Sequence, residues 1–243
     1  MNLIIDLGNS FVKLAVFSDG RIKYKEVVEV KHIVEHVKIL KEDYSLIKNA
    51  IISSVGKLNK KDFEAIDKHF NLTVLNSKTK LPFENLYETP KTLGVDRIAL
   101  VSASVNEFPN NNVLIIDAGT CITYDFVTSE NEYLGGAISL GVRMRYKALN
   151  NLTANLPLIE TKIPDNITGN STNESIHSGV VNGVLKEIDG VIKAYEEKYP
   201  DLTVILTGGD ANFLSKQLKS SIFANSNFLL EGLNYILQFN TNS

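Results

Sequence analysis

The chain has 243 residues, of which 44% are hydrophobic and 22% charged, and it carries a net charge of −3. That length has room for two compact domains with cores of their own, whereas the net negative charge lacks the Lys and Arg excess on which a nucleic-acid surface rests. No apolar run approaches the roughly 20 residues that span a bilayer, the start at Met1–Asp6 has no charged leader region, and the single cysteine, Cys121, has no partner for an internal disulfide. The expectation is a cytoplasmic protein without membrane or nucleic-acid partners.

The first predicted element is a buried strand, Asn2-Leu3-Ile4-Ile5, which runs into Asp6-Leu7-Gly8-Asn9-Ser10. Residues 11–17 predict a second strand, Ser18-Asp19-Gly20 a hairpin turn, and residues 22–30 a third strand. Helical periods follow over 32–42 and 60–70, with further strands at 49–55 and 72–75. The polar, Pro-containing segment 106–112 is the natural joint between halves. Then the plan repeats. Asn112-Val113-Leu114-Ile115-Ile116 is a strand that runs into Asp117-Ala118-Gly119-Thr120; strands at 121–127 and 132–138 flank a turn at 128–131. A helical period covers 175–198 and a strand 202–206. The irregular stretch 150–172, rich in Thr, Asn and Pro, reads as an active-site loop rather than a linker. A β-meander followed by alternating helices and strands is a ribonuclease-H-like layout, so the fold class is α/β with two such domains, 1–111 and 112–243.

The repeated Asp-x-Gly turn carries the chemistry. Its Gly lets backbone N–H groups approach phosphate oxygens, the following hydroxyl or amide adds a donor, and the Asp at the strand end can hold a cation. Turn chemistry alone would account for one copy; the same order after the same buried strand points to a nucleotide clamp. A third element, Leu206-Thr207-Gly208-Gly209-Asp210, places paired glycines after an apolar strand, as a surface for a nucleobase or ribose. Gly135, Gly136 and Gly141 either do similar work or let two strands pass closely. The string Leu93-Gly94-Val95-Asp96-Arg97 has two readings: a charge pair opening a helix, or a carboxylate acting as general base on a hydroxyl beside a guanidinium that takes a substrate carboxylate. Other patterns are set aside. His32-Ile33-Val34-Glu35-His36 spells H-x-x-E-H on a Lys-rich helical period, Ser10 to Lys13 spells S-x-x-K in a predicted strand, and no Walker loop occurs.

Taken in order, Asp6 to Ser10, Leu93 to Arg97, Asp117 to Thr120, Gly135 to Ile138 and Thr207 to Ala211 resemble the motifs of type III pantothenate kinases over nearly the whole chain. The resemblance implies the duplicated fold of the acetate and sugar kinase, Hsp70 and actin superfamily. It also implies a homodimer that uses ATP to phosphorylate pantothenate in the first step of coenzyme A synthesis. By the same resemblance Asp6, Leu7, Gly8, Asn9, Ser10, Phe11, Val12 and Lys13 bind ATP phosphates, with Asp6 also holding magnesium and Thr120 a further ATP contact. Asp117 corresponds to the ligand of a monovalent cation, potassium or ammonium. Gly94, Val95, Asp96 and Arg97 bind pantothenate, with Asp96 as proton acceptor, and Tyr87 and Thr172 are additional substrate contacts. Ser10 replaces a Thr usual in the family, and Cys121 a small residue.

Two alternatives share the nucleotide turns. A sugar or acetate kinase, or a phosphatase, would be longer and would lack the Leu93–Arg97 string. A nucleotide-dependent regulator or assembly protein of the same superfamily would bind ATP without transferring its phosphate to a small molecule.

Overall fold

The computed structural model describes residues 1–8, 10–54 and 58–241. Asn9, assigned to phosphate binding, and Val55, the end of a predicted strand, lie outside the described residues. Two compact units are present, one of Met1–Pro109 with Asn227–Ser243, the other of Asn110–Ser226.

In the first unit, β1 (Asn2–Leu7), β2 (Phe11–Ser18) and β3 (Arg21–Glu29) form an antiparallel meander. Parallel strands β4 (Asn49–Ile52) and β5 (Asn71–Val74) extend it to the order β3-β2-β1-β4-β5. Leu3, Ile4 and Ile5 are all fully buried, so β1 reads as a continuous apolar run because helices cover both faces of its sheet. One face packs Leu3, Ile5 and Leu14 with Ile33, Val37 and Leu40 of α1 (Ile33–Asp43). Beyond α2 (Lys60–Asp67) and the two-residue strand β6 (Glu84–Asn85) comes α3 (Val95–Glu107), buried from Arg97 to Val105. A helix apolar on nearly every side must be enclosed.

The second unit repeats the topology. Strands β7 (Asn112–Ala118), β8 (Cys121–Val127) and β9 (Glu132–Leu140) form its meander. After α4 (Val142–Leu152), α5 (Thr172–His177), a π-helical turn at Ser178–Asn182 and α6 (Gly183–Lys198), strand β10 (Leu202–Thr207) joins β7 in parallel. Helix α7 (Ala211–Ser215) leads to β11 (Phe223–Ala224), parallel to β10. Within the unit the order is β11-β10-β7-β8-β9, the same arrangement as β5-β4-β1-β2-β3. Its core joins Leu114, Ile116 and Tyr124 to Val184, Ile188 and Ile192 of α6. Among the described residues no helix is long and apolar enough to cross a membrane.

The last helix, α8 (Phe228–Thr241), departs from the expected division at 111/112. It packs on α3, β1 and β4 of the first unit, rather than with the strands that precede it. The reason is steric and apolar. Phe228, Leu230, Leu233, Ile236 and Leu237 are buried, and a side chain at Gly232 would put its Cβ 1.8 Å from the Ala99 carbonyl oxygen, so this approach of backbones needs glycine. Polar ties fix the register: Asn2 Nδ2 donates to Asn234 Oδ1 at 2.9 Å and Asn240 Nδ2 to the Lys80 carbonyl at 3.0 Å.

Where α3 meets α8, burial, then a hydrogen bond and the charge of Glu231, push the Glu107 carboxyl up to about 7. The unfolded group titrates near its ordinary 4.5, so between these values the folded chain holds the extra proton and stability falls as pH rises. Glu107→Gln is expected to raise the melting temperature at pH 8 and leave it nearly unchanged at pH 4, as thermal unfolding at the two pH values would show.

Candidate active site

The first Asp-x-Gly turn closes between β1 and β2. The Gly8 N–H donates to the Phe11 carbonyl at 3.0 Å, and Asp6 stands opposite Lys13 in the antiparallel register. Lys13 Nζ lies 3.3 Å from Asp6 Oδ2, with half of the lysine side chain accessible and 17% of the aspartate's. A residue that sequence reasoning missed completes this corner. Ser53, 3% exposed, follows the end of β4; its hydroxyl donates to Asp6 Oδ1 at 3.3 Å and accepts the Leu7 N–H at 3.0 Å. The parallel pairing of β1 with β4 brings it there, and the only signal in the sequence is a small polar residue ending a buried strand. In β2, Phe11 and Lys13 are exposed while Val12 is fully buried in the apolar core and stands between Leu7 of β1 and Val28 of β3. Ser10 is exposed, and its carbonyl accepts the Val30 N–H.

In the same unit Gly94 caps α3, and the Asp96 carboxylate accepts the Arg97 N–H at 2.9 Å in the first turn. An acidic side chain thus stands in the first turn of a helix, where an anion is favoured. The neighbours diverge nonetheless. Asp96 is exposed, whereas Arg97 is 5% exposed with its guanidinium carbon 5.4 Å from the centre of the Tyr87 ring. Tyr87 and Arg97 are thus brought together, and a planar cation beside an aromatic face is held in orientation.

In the second unit the Gly119 N–H donates to the Cys121 carbonyl at 2.9 Å. One residue lies between donor and acceptor residues here, against two in the first turn, so the repeat is shorter by one residue at its tip. Thr120 is exposed and Cys121 partly so. Asp117 stands opposite Thr207 of β10, directly before the paired glycines. Gly208 has φ +94°, and a Cβ on it would lie 2.3 Å from the Ala118 carbonyl oxygen and 2.4 Å from Asp117 Oδ1. Its backbone is therefore packed against the Asp117 carboxylate. The Asp210 N–H donates to the Ala118 carbonyl at 2.9 Å, and burial raises the Asp210 carboxyl.

Thr172, the first residue of α5, lines a cavity of about 910 Å³ with Leu140, Arg145, Leu149, Leu156 and Val180. The irregular loop forms part of its wall through Leu156 and Gly169–Ser171. In its wall Arg145 donates to the Leu140 carbonyl, to Ser139 Oγ and to Glu187 Oε2, while Tyr124 donates to Glu187 Oε1 at 2.9 Å. Burial pushes the Glu187 carboxyl up, but the hydrogen bonds from Arg145, Tyr124 and Ser139 and the arginine charge outweigh it and hold the group below its ordinary range. Among the described residues no group of three or more His, Cys, Asp or Glu could hold a metal ion. Asp6 as a lone strand-end carboxylate fits magnesium all the same, because that ion is commonly held by one or two carboxylates together with substrate phosphates and water.

Residues 2–194 match the family model described as type III pantothenate kinase. A type III pantothenate kinase of Christiangramia forsetii is 53% identical over 240 residues, covering 99% of both chains. The chain belongs to the type III pantothenate kinase family. A second relative of that name, from Flavobacterium psychrophilum, is 46% identical over 98% of this chain and 99% of its own. Among solved structures, a conserved Baf family protein of Campylobacter jejuni superposes with a TM-score of 0.66 at 21% identity, over 99% of this chain and 100% of that one. A ROK family glucokinase from Streptomyces griseus, in complex with glucose and AMPPNP, gives 0.52 at 10% identity over 100% and 99%. These structures agree with the expected sugar kinase, Hsp70 and actin type of fold, and the family membership makes the chain an ATP-dependent pantothenate kinase.

The paired glycines of the kinase are not equivalent, since a Cβ on Gly209 meets nothing within 4 Å. Gly208→Ala is expected to cost about 2 kcal/mol or more through strained backbone and close contact, while Gly209→Ala stays within about 0.5 kcal/mol of wild type. Urea unfolding of the two variants measures the difference.

Proposed function

We propose that this chain transfers the γ-phosphate of ATP to the terminal hydroxyl of pantothenate, giving 4'-phosphopantothenate, with Asp96 as proton acceptor. The observation that carries the reading is the divergence of two adjacent charged residues: Asp96 exposed at the start of α3, Arg97 buried against Tyr87. An oriented guanidinium is suited to grip the substrate carboxylate through paired N–H groups. The neighbouring carboxylate then takes the hydroxyl proton as the new oxygen–phosphorus bond forms and the bond to the leaving ADP oxygen breaks. Gly94 and Val95 line the same substrate position, and Tyr87 and Thr172 add contacts.

Phosphoryl transfer asks the protein chiefly for alignment and charge neutralisation. Lys13, Ser10 and Asn9 take the ATP phosphates with Leu7, Gly8, Phe11 and Val12 completing the binding run, Asp6 holds magnesium, and Thr120 makes a further ATP contact. Magnesium, when bound, offsets charge on the phosphate oxygens. Asp117 holds the monovalent cation, potassium or ammonium. Its carboxylate lies against the Gly208 backbone and one residue before the Ala118 carbonyl, a corner rich in oxygen donors of the kind hard cations take. The kinase works as a cytoplasmic homodimer.

Incubation with ATP, magnesium, potassium and pantothenate should yield phosphopantothenate and ADP. Absence of product over a wide range of ATP would sink the assignment, and ATP-dependent assembly without transfer would favour a regulator instead. Asp96→Asn is expected to lower kcat by about 10²- to 10⁴-fold with the folded state retained; wild-type turnover in that variant would remove Asp96 as the base. Replacing potassium and ammonium by a large organic cation should depress turnover in the wild type, and Asp117→Asn should abolish the response to added potassium. A response that survives Asp117→Asn would place the cation elsewhere.

A further inference from the structure

Two side chains in the second unit have no part in the chemistry above yet are buried together beside its cavity. Tyr146 of α4 is 1% exposed and His177, the last residue of α5, is 6% exposed. The Tyr146 hydroxyl lies 2.9 Å from His177 Nδ1, and the rings meet edge to face with centroids 5.7 Å apart. Around them is apolar core, including Val142, Ile176 and Val180. Burying a hydroxyl and an imidazole in such surroundings is unfavourable unless they are hydrogen-bonded, and the hydroxyl also meets the backbone of Lys162 in the loop before α5. Unlike the apolar contacts beside it, the bond is directional.

The elements it joins are those that shape the cavity. Helix α4 supplies Arg145, Ala148 and Leu149 to the wall, and α5 begins with Thr172 at its edge. Helix α5 runs without a break through the π-helical turn into α6, so its six residues are held from one end by α6 and along their length by tertiary contacts. The π-helical turn begins directly after His177. Such a turn is wider than α geometry, so a fixed point at His177 sets the register in which Thr172 lines the cavity. The loop before α5 is in turn tied to it: Lys162 donates to Glu174 at 3.0 Å, Ser175 Oγ to the Gly169 carbonyl at 3.3 Å, and Ser178 Oγ to the Ile167 carbonyl. Moving α5 moves residues 162–171 with it.

We infer that Tyr146 and His177 are positioning residues, whose buried hydrogen bond holds α5 and the loop over 162–171 in the arrangement that pantothenate binding uses. The inference rests on the reading of Thr172 as a pantothenate contact. It predicts an effect on substrate affinity and not on the chemical step, because the bond joins elements of the cavity wall and includes none of the residues read as carrying the phosphoryl transfer. His177→Asn keeps a hydrogen-bonding group near the Nδ1 position, whereas Tyr146→Phe and His177→Phe keep a ring and lose the bond.

The test is steady-state kinetics of the three full-length variants, combined with hydrogen exchange of the backbone over 162–176. Tyr146→Phe and His177→Phe are expected to raise the pantothenate KM roughly three- to tenfold, with kcat and the ATP KM changed less than about twofold, and to quicken exchange in the segment. His177→Asn should restore both readouts to near wild type. An unchanged pantothenate KM with unchanged exchange overturns the inference, as does a parallel loss in kcat and ATP KM with no rescue by Asn. If the wild type does not phosphorylate pantothenate, the functional reading fails instead, and the exchange measurement still decides whether the pair positions the loop.

Discussion

The central strand of each unit is buried on both faces, and that constraint decides where polar chemistry can begin. Leu3 to Ile5 and Val113 to Ile116 are enclosed at 1% exposure or less, so a charged side chain along these stretches would lose its hydration with nothing in return. The first positions free of that penalty are the strand ends, and both carry aspartate. The parallel neighbour brings its own end alongside: Ser53 after β4 in the first unit, Thr207 of β10 in the second. Each candidate corner is thus a consequence of strand order rather than of any local motif.

The groups at the two corners differ in how firmly they are held. The Asp6–Lys13 pair is half open to water, and such pairs contribute at most about 1 kcal/mol. Its lysine can therefore leave the carboxylate at little cost. The Asp117 carboxylate faces packed backbone at Gly208, a far less adaptable setting. The extra residue in the first turn adds to the contrast, two residues lying between the bonded pair there and Thr120 alone in the second. A duplicated layout has acquired two different corners.

The framework is stiffened by polar groups that are satisfied rather than numerous. Arg145, Glu187, Tyr124 and Ser139 join β8, β9, α4 and α6 through a connected set of bonds, where removal of one member would strand the others in a partly buried setting. The cavity wall rests on this set and on the Tyr146–His177 bond. Side chains that shape a site without touching its ligand are hard to find in a sequence, since nothing in their spacing separates them from ordinary core.

The sequence by itself made legible the meanders, the two Asp-x-Gly turns, the further strands at 49–55, 72–75 and 202–206 and the Leu93–Arg97 string. Each of these is governed by local periodicity, turn chemistry or residue order, which are readable along the chain. It could not reveal that α8 belongs with the first unit, because its apolar stripe says only that a partner exists; the tight passage of Gly232 over Ala99 names the partner. Nor could it distinguish Gly208 from Gly209, or pick Ser53 from the other serines, or show that Asp96 stays exposed while its neighbour Arg97 is buried against the Tyr87 ring. Those outcomes depend on contacts between residues tens to hundreds of positions apart or on which side of a helix meets the core, and only the packed tertiary structure decides them.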